Sequence, residues 1–178
     1  MSGGDIGAQN GTLAIMTGGS QKGFDIAKPI FDCYGKTATL LGKAGCGQHT
    51  KMANQIALAG AIIGVCEALL YGHKAGLDLK QVLETISGGA AASFQLTNFA
   101  PRILKRDLGP GFYVEHFVKD LEIALDECRR MNFALPGLAL VHQLYKSLQA
   151  YDGDRLGHHA LIKVLENMNN LEMKKYDF

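Results

Sequence analysis

The sequence predicts a mainly α protein: a short strand–helix–strand segment, then an all-helical region built on one long central helix. Three observations carry this expectation. Short apolar runs bounded by glycine occupy 11–18 (GTLAIMTG) and 37–41 (TATLL), as strands do. Between them Ala27, Ile30, Phe31 and Tyr34 recur at i, i+3, i+4 and i+7, the spacing of a helix face. From Gln48 to Ala75 there is no proline, and apolar residues fall on nearly every face of a helix.

Pro29 lies inside the first predicted helix, where it removes a backbone donor. Two short strands make a poor sheet, so this one is expected to continue in residues outside the sequence. The long helix, of about 28 residues, would extend about 42 Å. Met52, Ile56, Leu58, Ile62, Ile63, Val65, Leu69 and Leu70 make it apolar all round, and such a helix is expected to be covered by protein. Gly60 and Gly64, four apart, would admit a close helix crossing or are merely tolerated; spacing leaves both open. Asp78 with Gln81 reads as a capping box for a helix running to Ile86. Further helices are expected over 93–106, 116–131, 136–150 and 157–169, with Pro136 suited to a first helical turn. Gly88-Gly89, LGPG at 108–111, NFALPG at 132–137 and DGD at 152–154 separate them. The closing YDF, residues 176–178, is expected to fray.

At 178 residues, with 47% hydrophobic and 20% charged side chains, the chain can bury a sizeable core. Eighteen Lys and Arg against seventeen Asp and Glu give a net charge of +1, and without a basic block there is no electrostatic footprint for nucleic acid. The longest uninterrupted apolar run, closed by Gln55 and Glu67, is shorter than the roughly 20 residues a bilayer requires. Neither nucleic acid nor membrane is therefore an expected partner; a small molecule or another protein chain is. Cysteines at 33, 46, 66 and 128 form no C-x-x-C and no spacing for a disulfide framework or a zinc site. No metal is expected, and the plain reading is a cytoplasmic protein with reduced thiols.

The densest cluster of reactive side chains is GCGQHTKMAN, residues 45–54. Lys51 and Asn54 are three apart and share a helix face. An ammonium beside an amide can hold a carbonyl or hydroxyl oxygen and exchange a proton with it. The bland alternative is an exposed surface pair. In a second cluster, FYVEHFVKD at 112–120, Lys119 and Asp120 read by spacing alone as solvated charges, with Phe112 just upstream. The six histidines show no ligand spacing and no nucleophile partner, so each reads as a surface or capping residue. The glycine-rich GKAGCG at 42–47 follows a predicted strand but does not match G-x-G-x-x-G, and no acidic residue follows at the dinucleotide spacing.

Taken together, the pieces resemble the β-hydroxyacid dehydrogenase family, which includes 3-hydroxyisobutyrate dehydrogenase and tartronate semialdehyde reductase. SGG at 2–4 with the following GAQNGTLAIMTGG resembles the family's substrate-binding segment. GQHTKMAN at 47–54 resembles its G-x-x-x-K-x-x-N signature, and GF at 111–112 with KDL at 119–121 resembles a third element. The resemblance covers the whole chain. It implies that Ser2, Gly3 and Gly4 bind the substrate carboxylate, glycine being useful where a Cβ would hold a ligand away. It implies Lys51 as general acid or base and Asn54 as the residue that orients substrate. Phe112 and Asp120 are implied near the pocket, and Lys119 near the cofactor, NAD or NADP.

On this resemblance, residues 1–43 are expected to be the end of a Rossmann-type nucleotide-binding domain and residues 44–178 a helical substrate and oligomerisation domain. The chain is expected to be the C-terminal part of a longer oxidoreductase acting on a small β-hydroxy acid and its semialdehyde. It would be inactive alone and would assemble as a homodimer or homotetramer. One alternative is a non-catalytic helical association module, which would have no reason to keep Ser2, Lys51 and Asn54 together. The other is a 6-phosphogluconate dehydrogenase-like enzyme, in which His and then Asn would stand where Asn54 and Gln55 do.

Overall fold

The computed structural model of the chain describes residues 1–176. By its internal contacts the chain divides into two compact units, Met1–Gln55 and a second beginning at Ile56.

The first unit contains α1 (Gly4–Gln9), β1 (Leu13–Thr17), α2 (Gln21–Phe31), β2 (Gly35–Leu40) and the first turns of α3 (Cys46–Lys74). β1 and β2 pair in parallel, Ala14 opposite Thr37 and Thr17 opposite Leu40, because α2 carries the chain back between them as parallel pairing requires. Alternation along β1 buries Leu13 and Ile15. Ser20 caps α2, its hydroxyl accepting from the Gly23 amide at 3.1 Å, and Pro29 is accommodated inside the helix. The short α1 has no counterpart in the sequence expectations. Gly3 and Gly4 take φ of +129° and +65°, conformations open to glycine, and turn the chain directly into this helix.

In the second unit, α4 (Leu79–Ile86), α7 (Val114–Arg130) and α8 (Pro136–Ala150) lie close to their expected spans. Asp78 caps α4, its carboxylate accepting from the amides of Lys80 and Gln81. The Gln81 side chain returns to the Asp78 carboxylate at 3.0 Å, not to the backbone amide of the capping box. The single helix expected over 93–106 is two, α5 (Phe94–Asn98) and α6 (Ala100–Leu104), broken at Phe99. Pro101 explains the break, since it has no amide hydrogen to bond back into α5 and suits the first turn of a new helix. The expected helix over 157–169 opens as a 3₁₀ turn, His158–Leu161, before α9 (Ile162–Met168).

One stripe of α3, Ala59, Ile62, Val65, Cys66, Leu69 and Leu70, is buried, and Ile103, Phe117, Leu121, Tyr145 and Leu161 are among the most deeply buried side chains of the same unit. The opposite stripe, Ala57, Gly60, Gly64, Ala68 and Tyr71, is exposed. Complete cover of the long helix is thus not found: only 39% of its most apolar 18-residue window is buried. A Cβ at Gly60 or Gly64 would meet nothing within 4 Å, so no neighbouring helix crosses there among the described residues. By length and composition α3 as a whole is apolar enough to cross a bilayer, although its longest uninterrupted apolar run is not. Its inner stripe is used as core.

The chain's closing segment is tied to this core by a buried carboxylate. Glu166 accepts two bonds from the Arg106 guanidinium, at 2.7 and 3.0 Å, and one from the Met173 amide at 2.9 Å. The Tyr176 amide donates to the Leu104 carbonyl at 2.9 Å, so Tyr176 is held rather than frayed; Asp177 and Phe178 lie outside the described residues. Removing one member of a buried ion pair leaves the other charge uncompensated, at a cost of about 3–5 kcal/mol. Because Arg106 keeps some exposure, Glu166→Ala is expected to destabilise the chain by about 3 kcal/mol, read as a lower urea midpoint with an unchanged m-value. A loss within measurement error would show that the pair does not hold the segment.

Candidate functional site

The site in the first unit starts from a close approach of two backbones. A Cβ on Gly47 would stand 2.6 Å from the Met16 carbonyl oxygen. One on Gly18 would stand 2.5 Å from the Lys43 carbonyl oxygen and 2.9 Å from the amide nitrogens of Cys46 and Gly47. Only glycine fits at either position, and the first turn of α3 therefore seats against the C-terminal end of β1. The Thr50 hydroxyl continues the turn by donating to the Cys46 carbonyl at 2.8 Å.

Lys51 comes one turn into α3. Its Nζ donates to Oε1 of Gln55 at 3.0 Å, and Nδ2 of Asn54 donates to the same oxygen at 2.7 Å. Gln55 is buried, 1% exposed, while Lys51 and Asn54 are half-buried; they are not an exposed surface pair. Two donors of different charge thus converge on one acceptor. Gln55 escaped the sequence reading, although a polar residue inside an otherwise apolar helix could have marked it. Ser2, in the same unit, is held by β1. Its backbone makes an antiparallel bridge with Ala14, amide to carbonyl in both directions at 2.9 Å. A Cβ on Gly3 would meet the Leu13 side chain at 2.9 Å.

Phe112, Lys119 and Asp120 belong to the second unit. Lys119 and Asp120, on α7, pair at 2.6 Å, with Asp120 buried and Lys119 exposed. Only Lys119 therefore matches the reading of both as solvated charges. Phe112 packs at a tilt near Phe117 and His158, at ring-centroid distances of 5.4 and 5.9 Å.

His158 and His159 are buried, against the expectation that every histidine is a surface or capping residue. His158 Nε2 lies 2.8 Å from Oε1 of Gln95 on α5, and His159 Nε2 lies 2.8 Å from the Asp107 carbonyl. Each contact assigns the proton to Nε2. Nδ1 of both rings is buried with no hydrogen-bond partner. Burial, with the neighbouring His159 and Arg102, depresses His158 to about 3, and burial also lowers His159. Beside them the Arg102 guanidinium holds the Asp107 carboxyl below the usual carboxylate range. A shallow groove lies between the end of α3 and α9, lined by Glu67, Leu70, Tyr71, Lys74, Leu165 and Met168 among others. None of the expected site residues lines it.

The family model describing the NAD-binding region of NADP-dependent 3-hydroxyisobutyrate dehydrogenase matches residues 45–165. The model for the NAD-binding domain of 6-phosphogluconate dehydrogenase matches residues 1–42. A probable 3-hydroxyisobutyrate dehydrogenase-like protein of Arabidopsis thaliana is 51% identical over 177 residues, covering 99% of this chain and 53% of that protein. The 2-hydroxy-3-oxopropionate reductase of Escherichia coli is 42% identical over 170 residues, covering 96% and 58%. The 3-hydroxyisobutyrate dehydrogenase of Mycobacterium tuberculosis, solved with L-serine, superposes with a TM-score of 0.84 at 28% identity, over 92% of this chain and 58% of that one. The chain thus spans about half the length of the curated relatives it matches.

The seat of α3 makes a direct prediction. Gly47→Ala must push apart two backbones that are already in contact, and overpacking of this kind costs about 1–3 kcal/mol. Gly137→Ala, in α8 and away from the exposed stripe of α3, adds a methyl that meets nothing and is expected to raise stability by about 0.4–1 kcal/mol by restricting the unfolded chain. Thermal unfolding of the two variants should move in opposite directions; a shared direction would mean that the close seat is not rigid.

Proposed function

The chain belongs to the 3-hydroxyisobutyrate dehydrogenase family, and from that membership we propose that it serves an NAD(P)-dependent oxidoreductase interconverting a small β-hydroxy acid and its semialdehyde. The carrying observation is the convergence of Lys51 and Asn54 on the buried Gln55 oxygen. In this reading Gln55 aims both donors, Asn54 orients the substrate, and Lys51 protonates the carbonyl oxygen as it becomes an alkoxide. In the oxidative direction Lys51 accepts the hydroxyl proton. The nicotinamide supplies or receives the hydride when bound. Ser2, Gly3 and Gly4 receive the carboxylate; the two glycines turn at positive φ without side chains to hold a ligand off. The exposed ammonium of Lys119, braced by Asp120, suits a place beside an anionic cofactor.

We assign residues 1–43 to the end of a nucleotide-binding domain and 44–178 to a substrate and oligomerisation domain. The seam between the two matched family models, at 42–45, supports this division. The sequence contains no G-x-G-x-x-G turn, so this chain by itself is expected not to turn over substrate. In a form that also carries a nucleotide-binding half, Lys51→Ala should lower kcat by about 10²–10⁴-fold, the usual contribution of a positioned acid–base group, with a smaller effect on KM. Near-wild-type turnover would sink the assignment.

The exposed stripe of α3 is the counterpart of the predicted assembly. A continuous apolar face of this kind marks an interface more often than a free surface, and most homo-oligomers are two-fold symmetric. We propose a homodimer with α3 at its centre. Light scattering at micromolar concentration is expected to give twice the chain mass of 19.2 kDa; a monodisperse species at 19.2 kDa would rule the dimer out.

A further inference from the structure

We propose that His158 and His159 are positioning residues: the neutral His159 ring bonds the 107–113 loop, the neutral His158 ring packs against its Phe112, and protonation of the pair releases the loop. The consequence for substrate rests on the proposed place of Phe112 near the pocket; the loop's own behaviour does not.

The loop is fastened at both ends to one turn. At its start, the Asp107 carbonyl accepts from His159 Nε2 at 2.8 Å, and the Leu108 carbonyl accepts from the Gly157 amide at 2.9 Å. At its end, the Phe112 carbonyl accepts from the His158 amide at 2.9 Å, and the Val114 amide donates to the Leu156 carbonyl at 3.0 Å. The fit is close, since a Cβ on Gly157 would stand 2.7 Å from the Gly109 carbonyl oxygen and 2.4 Å from the His159 ring.

Burial disfavours a second proton on either ring more than the Phe112 carbonyl beside His158 or the Asp107 carboxylate beside His159 favours it. His158 sits edge-on to Phe99 at 4.4 Å and near Phe112 and Phe117, and His159 lies 5.0 Å from Phe99. The Nδ1 atoms that would gain the proton are buried without an acceptor. The charged and titratable groups facing the pair are few. From α6 comes Arg102, which donates to the Asp107 carboxylate and the Gly109 carbonyl. Asp107 comes from the loop itself. From α8 comes Tyr145, whose hydroxyl donates to the His158 carbonyl at 2.6 Å and whose own ionisation burial opposes. A positive charge on either ring therefore meets a buried setting and the Arg102 guanidinium, which the Asp107 carboxylate offsets only in part at His159.

The sign is fixed by the depressed values. The neutral His158 ring contributes its full stabilisation above the unfolded-state value of 6.5, and it is lost as pH falls from there toward about 3; His159, also lowered, acts in the same direction. For His158 alone, opening that brings its ring into solvent should be favoured about 30-fold at pH 5.0 relative to pH 7.5. Hydrogen exchange of the 178-residue chain tests this without any assay of turnover, so a failed Lys51 assignment leaves the result readable. Loop amides over 107–113, corrected for intrinsic rates, are expected to exchange about 30-fold faster at pH 5.0. That rate should be insensitive to sub-denaturing urea, as local opening is. The double variant His158→Gln, His159→Gln retains the side-chain donors and cannot titrate; its loop exchange should be flat with pH. Exchange unchanged between the two pH values overturns the proposal. So does a rise that appears only with urea and in step with α8, or a double variant that responds like the wild type. If the double variant does not fold, the pH and urea dependence of the wild type decides the matter alone.

Discussion

The backbone contact between Gly18 and Gly47 is the constraint on which the first unit depends. Neither residue can carry a Cβ without striking a carbonyl or an amide of the other segment. The contact sets where α3 begins relative to the end of β1, and with it the height at which Lys51 emerges one turn later. Nothing on the lysine itself fixes this position. A long flexible side chain gains a defined reach only when its Cα is anchored and its tip has an acceptor. Here the glycine pair does the first and Gln55 does the second.

Much of this arrangement was legible from periodicity and local chemistry. Asp78, Pro136 and the glycine-bounded apolar runs mark element ends through backbone preferences that do not depend on the rest of the fold, and they appear where expected. The K-x-x-N pair was legible as a shared helix face. What could not be read is what depends on three-dimensional neighbours. Gln55 looks like an ordinary polar residue until it is found buried under two donors. His158 and His159 follow a glycine in a loop-like stretch, and only the aromatic rings of Phe99, Phe112 and Phe117 make them interior residues. Pro101 could have warned of the break at Phe99, but a proline one or two residues into a helix is also a favoured start, and the sequence alone does not choose.

The long helix shows the limit of composition differently. Residues apolar on every face imply burial on every face, yet α3 is buried along one stripe and bare along the other. The bare stripe is dominated by small residues, Ala57, Gly60, Gly64 and Ala68, with the large Tyr71 near its end. Small residues add little apolar area, so leaving them exposed costs far less than their hydropathy implies. A helix can therefore score as membrane-like by average hydropathy while its large side chains do ordinary core packing on the other side.

The choice of an amide at position 55 matters for the proposed chemistry. A carboxylate there would hold the Lys51 ammonium more tightly, since the attraction of two opposite charges would add to the hydrogen bond. It would also add a negative charge beside the oxygen on which negative charge must develop. Gln55 orients the ammonium through one hydrogen bond and contributes no counter-charge, so it does not oppose an alkoxide in front of Lys51. Buried at 1% exposure, with its oxygen satisfied by both neighbours, it also avoids the cost of an unpaired polar atom. Orientation without neutralisation is what preorganised stabilisation of a developing oxyanion requires. A neutral acceptor one turn along the same helix is a simple way to obtain it.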